Sequence, residues 1–298
     1  MRIREPGKIC AGLWFLGHKE SGVYLLEGKN HSMFISGGMG YILPAVLEQI
    51  ETFGIDRGKI RKALILHAHF DHVGIIPYMK RTIRDPEVYA SKRGWEILQM
   101  PKAIETINAF SRDVAKRMGM LEACESYDLD WRDDVSGSVV REGDVIDLGD
   151  MAVHIFETPG HSSCAITAYE PRIKALFPSD GGGIPYKDII TTSGNSNYTK
   201  FQESLEKLRD LEVDYYCADH YGYVTGTEAR DFIHSSIEVA QAHREEMEEA
   251  YRDTGSIEAA AKVMVNAMFD ENPDYFLSPD IFEGIYRQMV KHIAGAMD

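Results

Sequence analysis

The sequence predicts an α+β chain with a helical C-terminal extension, on three observations. Short apolar runs and helical stripes follow one another in strand–helix–strand order up to Ala90, the stretch from Gly143 to Glu157 alternates like paired strands, and everything after residue 225 is helical in period. Residues 1–225 therefore read as the main domain, with a helical insertion at about residues 92–122. Residues 226–298 read as an extension that either caps a site or forms a homodimer interface.

Taken in order, Leu13-Trp14-Phe15-Leu16, Gly22-Val23-Tyr24-Leu25-Leu26 and Ser32-Met33-Phe34-Ile35 alternate as hairpin strands, punctuated by Gly28, Gly37 and Gly38. Leu43, Val46, Leu47 and Ile50 fall at helical spacing between Ile42 and Phe53, with Pro44 tolerated in the first turn and Gly54 as the stop. Ala63-Leu64-Ile65-Leu66 is a buried strand, followed by a helix near Ile75 to Thr82 and a short strand at Val88-Tyr89-Ala90. In the insertion, Ile104, Ile107, Phe110, Val114, Met118 and Leu121 recur at steps of three and four, a packed helix that can wall a pocket. The Gly-Asp turns around Val145-Ile146-Asp147 lead into a strand from Met151 to Glu157. In the extension, Thr227 is read as the N-cap of a helix that runs to Gly255, a second helix spans about Ile257 to Phe269, and a third begins at Ser278-Pro279.

Composition narrows the function. Forty-seven acidic against 32 basic residues give a formal charge of −15, which repels nucleic-acid backbones and anionic membrane surfaces and counts against a nuclease. Cys10, Cys124, Cys164 and Cys217 are scattered, form no C-x-x-C pair and read as reduced thiols. The N-terminal residues lack an apolar leader and no window approaches a membrane span, so a cytoplasmic location is expected.

The chemistry concentrates in His67-Ala68-His69-Phe70-Asp71-His72, directly after a buried strand. In extended chain, residues i and i+2 point the same way, so His67 and His69 can offer nitrogens to one point, while Asp71 and His72 reach a second point beyond the turn. Imidazole with carboxylate suits zinc, iron or manganese better than calcium or magnesium. One loop cannot close such a site, and further donors stand at other strand ends: His161 in Thr158-Pro159-Gly160-His161, Asp180 in Ser179-Asp180-Gly181, and His220 in Ala218-Asp219-His220. Cys164 would need His161 free to act as a nucleophile, and Gly160-His161-Ser162-Ser163 lacks the Gly-x-Ser-x-Gly form of a serine hydrolase.

His-x-His-x-Asp-His followed by Gly-His, Ser-Asp-Gly and a late Asp-His resembles the metallo-β-lactamase-fold hydrolase superfamily over about residues 8 to 225. Less specifically, Gly38, His72-Val73-Gly74-Ile75-Ile76-Pro77-Tyr78 and the helical tail resemble its quinolone-signal-response thioesterase group. The resemblance implies an αββα sandwich and two divalent transition-metal ions, zinc or iron. His67, His69 and His161 would hold the first, Asp71, His72 and His220 the second, and Asp180 would bridge them. It further implies hydrolysis by a metal-activated hydroxide with Asp71 as proton shuttle, most naturally of an acyl-CoA-type thioester. A lactone or glutathione thioester would use the same chemistry, and a signalling partner with incidental turnover is the reading from another class. One departure stands out: Ser36-Gly37-Gly38 occupies the strand end where many members carry an acidic residue that supports the metal loop, which puts that support in doubt. Tyr223 and Tyr221, following His220, are candidate oxyanion donors, Tyr223 the catalytic one, and Asn195 and Tyr198 in the polar loop 191–198 are candidate substrate contacts. The remaining histidines, His243 among them, read as surface or structural, with His292 able to approach a pocket if the last helix caps it.

Overall fold

The computed structural model describes residues 1–275 and 277–297. Two seven-stranded sheets face each other. Strand β1 (Arg2–Ile3) belongs to the second sheet; β2 (Gly7–Cys10), β3 (Leu13–His18), β4 (Ser21–Glu27), β5 (Ser32–Ile35), β6 (Ile60–Leu64), β7 (Glu87–Ser91) and β8 (Ser138–Val140) build the first in sequence order. The second sheet contains β9 (Val145–Asp147), β10 (Ala152–Glu157), β11 (Ile166–Glu170), β12 (Ala175–Phe177), β13 (Tyr215–Cys217) and β14 (Tyr223–Thr225), in the order β1-β14-β13-β12-β11-β10-β9.

The alternation of each strand decides what it buries. Phe15, Tyr24, Ile35 and Leu64 from one sheet meet Val153, Ile166, Phe177 and Cys217 from the other, forming the core between the sheets. The outer face of the first sheet is covered by α1 (Leu43–Thr52), α2 (Ile76–Thr82) and the insertion, which is three helices rather than one: α3 (Lys92–Leu98), α4 (Pro101–Arg117) and α5 (Leu121–Ser126). The stripe of the insertion is only partly inward, since Ile107 is buried while Phe110 and Met118 are exposed. Helices α6 (Tyr198–Leu208) and α7 (Thr227–Thr254) cover the outer face of the second sheet, completing an αββα sandwich.

Beyond it, α7 packs on α8 (Ile257–Glu271) and α9 (Pro279–Met297) around Met247, Met264, Tyr286, Met289 and Ile293. The N-cap of α7 is Gly226, not Thr227, and contributes no side-chain bond; Gly255, left-handed at φ 62°, ends the helix, and Ser256 caps α8 through Ala259 N–H. Among the described residues no helix is long and apolar enough to cross a membrane, and the four cysteines are free.

Candidate metal centre

All seven donors foreseen in the sequence meet at the carboxyl ends of β6, β10, β12 and β13. β12 and β13 are parallel neighbours, so the loops carrying Asp180 and His220 leave the sheet side by side. His69 is extended and opens a single 3₁₀ turn over Phe70–His72, which throws Asp71 and His72 to the other side of the loop from His67 and His69. The loop lies so close to the end of β5 that a Cβ on Gly74 would stand 2.1 Å from Gly40 N, and Gly37 N–H donates to His72 O at 2.8 Å.

One group of donors is His67 Nε2, His69 Nδ1 and His161 Nε2, with His69 Nδ1 3.1 Å from each of the others. The second is Asp71, His72 and His220: His72 Nε2 is 3.6 Å and His220 Nε2 3.5 Å from Asp71 Oδ2. Asp180 lies between them, its Oδ2 3.2 Å from His72 Nε2 and 3.5 Å from His161 Nε2, its Oδ1 3.7 Å from His220 Nε2.

For His161, His220 and His72, a hydrogen bond on the far side of the ring fixes which nitrogen faces inward. His161 Nδ1–H donates to Ser193 O at 2.7 Å and His220 Nδ1–H to Glu20 O at 2.6 Å, so both Nε2 lone pairs face inward. His72 Nδ1–H donates to Asp219 Oδ2 at 2.7 Å. Asp219 also accepts from Ser36 Oγ at 2.9 Å and from Ser179 Oγ at 2.5 Å, and Ser179 Oγ lies 3.1 Å from His67 Nδ1. This removes the doubt raised by Ser36: the carboxylate that supports the metal loop comes from the end of β13, and Ser36 is its partner. In the sequence Asp219 stands out only as a neighbour of His220, because nothing local shows that it reaches across to β5. Ser36, Ser179 and Tyr221 are all left-handed, at φ 68°, 51° and 62°, a strain of roughly 1–3 kcal/mol each that gathers where the ligands turn inward.

Burial lowers His67, His69 and His161, His69 to about 4, and repulsion among the imidazoles adds to it, so these three present neutral rings. Burial acts the same way on His72 and His220, but the carboxylates of Asp180 and Asp71 outweigh it and raise both. Burial would raise Asp71 and Asp180; the His72 charge and the His220 ring beside them prevail and hold both carboxyls well below the usual range. His72 Nε2 and Asp180 Oδ1 are buried without a hydrogen bond among the described residues. Five imidazoles, two ionised carboxylates and two such orphaned donor atoms fit a pair of divalent cations.

The centre forms part of the wall of a cavity of about 1070 Å³. His69, Asp71, Asp180 and His220 open into it from the sandwich, while α4, α7, α8 and α9 supply mostly apolar side chains. Asn195 lines this cavity, as do Thr191, Thr192 and Ser193 of the same polar loop. The other expected contacts are corrected. Tyr223 points inward from β14 into the core between the sheets, its ring 6.1 Å from Phe15. Tyr221 packs at 4.9 Å on Tyr186 and 6.0 Å from Tyr275, so that Tyr275, and not Tyr221, lines the cavity. Tyr198 is fully buried under the loop and donates to Ala240 O at 3.0 Å. His292 does not line the cavity, whereas His243 does.

Comparison with known proteins agrees with this architecture. The model of the metallo-beta-lactamase superfamily matches residues 20–220. The acyl-coenzyme A thioesterase MBLAC2 of Bos taurus is 26% identical over 204 residues, 63% of this chain and 68% of that protein. A hydroxyacylglutathione hydrolase of Rhodopseudomonas palustris (strain BisB5) is 26% identical over 170 residues, 55% of this chain and 49% of that protein. A metallo-beta-lactamase family protein of Thermus thermophilus superposes with a TM-score of 0.70 at 15% identity over 97% of this chain and 95% of its own, so the fold is shared almost end to end. The ligand-bearing strand ends and the matched span together place the chain in the metallo-β-lactamase superfamily.

Proposed function

We propose that the protein is a dinuclear metal hydrolase that cleaves a thioester, with the acyl group lying in the helix-walled cavity. The observation that carries this reading is the meeting of two surfaces in one cavity: a cluster of seven metal donors on one side and an apolar wall on the other. The related acyl-coenzyme A thioesterase and hydroxyacylglutathione hydrolase favour an acyl–sulfur bond over a lactone or a phosphodiester.

His67, His69 and His161 would hold one ion, Asp71, His72 and His220 the other, with Asp180 between, and imidazole-rich donors favour zinc or iron. Bound there, such ions polarise a carbonyl and lower the pKa of water toward neutrality. The chain's own residues do the rest. Ser193 O, Glu20 O and Asp219 keep His161, His220 and His72 aimed inward, so little reorganisation accompanies the reaction. Asp71, ionised and open to the cavity, would accept the proton of the attacking water and return it to the leaving sulfur. The apolar helices exclude bulk water from the acyl side.

The test is metal content by elemental analysis beside hydrolysis of acyl-CoA and S-acylglutathione panels on the same sample. Two equivalents of metal with thioester turnover support the proposal. Turnover confined to lactones or phosphodiesters moves the substrate class, and a folded protein that takes up no metal sinks the catalytic reading.

A further inference from the structure

The polar side chains Lys102, Thr106, Glu246, Glu249, Asp253 and Glu271 that the helices add to the cavity lining are solvent-exposed, whereas His243 and Tyr286 are the less exposed polar pair on this wall. Between Met264 of α8 and Ile285 of α9, the side chains of His243 and Tyr286 face the same space. His243 Nδ1 is 3.0 Å from Thr192 Oγ1, and His243 Nε2 is 3.2 Å from Tyr286 Oη. Thr192 Oγ1 is in turn 3.2 Å from Tyr198 Oη, whose proton is committed to Ala240 O.

These contacts can be satisfied in two ways. If Thr192 donates to Tyr198, His243 donates to Thr192 through Nδ1 and accepts from Tyr286, leaving Tyr286 Oη as an acceptor. If Thr192 donates to His243, the ring donates through Nε2 and the proton of Tyr286 is left over. In both, Tyr286 keeps one hydrogen-bonding capacity that no described residue uses, and the chain of contacts lets it be donor or acceptor. Burying a hydroxyl beside apolar helices with that capacity unmet is unfavourable, so a ligand atom that meets it is selected over one that does not. The node is also tied to the metal centre, because Thr192 holds His243 while the next residue, Ser193, holds His161.

We propose that Tyr286, set by His243, reads a polar atom within the acyl group, so that the cavity selects an otherwise apolar acyl chain bearing one hydroxyl or oxo substituent. The word acyl rests on the thioester reading; the selection itself does not. The cavity, at about 1070 Å³, stands at the upper end of the usual range for ligand pockets and accommodates such a chain.

The experiment is calorimetric binding of dodecanoate and a positional series of hydroxydodecanoates to the full chain as purified, and to Tyr286→Phe, which keeps the ring and its packing. At least one hydroxy isomer should bind about tenfold more tightly than dodecanoate, and the preference should vanish in Tyr286→Phe while dodecanoate affinity holds. If Tyr286→Phe does not fold, His243→Gln should reduce the same preference by disturbing the relay. Equal binding of all isomers, no binding of any, or a preference that survives the variants would overturn the proposal. Selection for hydroxyl without thioester turnover would keep this inference and sink the thioesterase reading; thioester turnover without selection would do the reverse.

Discussion

The cavity has two walls built on different principles. On the sandwich side, the donors sit at strand ends, and His72, His161 and His220 are buried and held by a hydrogen bond on the far face of each ring. On the helical side, mostly apolar side chains from α4, α7, α8 and α9 converge around the pair His243 and Tyr286, with exposed charged residues such as Glu246 and Glu271 also lining the cavity, and Phe110 and Val263 remain partly in solvent. The first wall is over-determined and sets what reaction can occur. The second is a surface of shape and sparse polarity, and sets what can be brought to it.

Substitutions should separate the walls, and the largest effect belongs to the first. Asp180→Ala removes the carboxylate that touches both donor groups, and should lower turnover by roughly a thousandfold with loss of bound metal, read by elemental analysis beside activity. Next comes the acid stability of the helical wall. Burial holds His243 at about 4 in the folded chain, whereas the unfolded chain titrates near 6.5. Between those values the unfolded state binds more protons, so stability should fall as pH drops through the window, by on the order of 3 kcal/mol, and level off below it. His243→Gln should make that limb shallower in denaturant titrations at pH 7 and pH 4.5, the rest of it coming from His67, His69 and His161; an unchanged limb would mean that the His243 imidazole stays protonated when folded. Asp219→Asn keeps the shape but weakens the acceptor for His72, and about ten- to a hundredfold should be lost in metal affinity, measured by competition with a chelator. The smallest effect is on the second wall: Phe282→Ala should raise KM for a long acyl thioester roughly tenfold while metal content and the rate on a short acyl thioester hold. Equal losses on long and short substrates would erase the division between the walls.

The same division explains what could be read from the chain. His67, His69, Asp71 and His72 are visible because one turn carries them, and His161, Asp180 and His220 because each follows an apolar strand. Asp219 as the support for His72 was not legible, since it arises where the end of β13 meets the loop after β6, a contact between residues 147 apart. Tyr223 was misjudged because nearness to His220 in sequence says nothing of its face on the strand; inward alternation on β14 sends its ring to Phe15. The polar node joins His243 and Tyr286, 43 residues apart on separate helices, and no periodicity marks such a pair. The short edge strand β1, only two residues long, left no pattern to detect.

The pairing of β12 with β13 acts as a ruler. Neighbouring strands are held about 4.8 Å apart by the backbone ladder whatever their side chains, and Asp180 and His220 leave adjacent parallel strands a few residues past its last rungs. The separation of Asp180 from His220 is therefore set by peptide geometry rather than by the side chains of the core. A change of substrate can accumulate on the helices without detuning the spacing on which the chemistry depends.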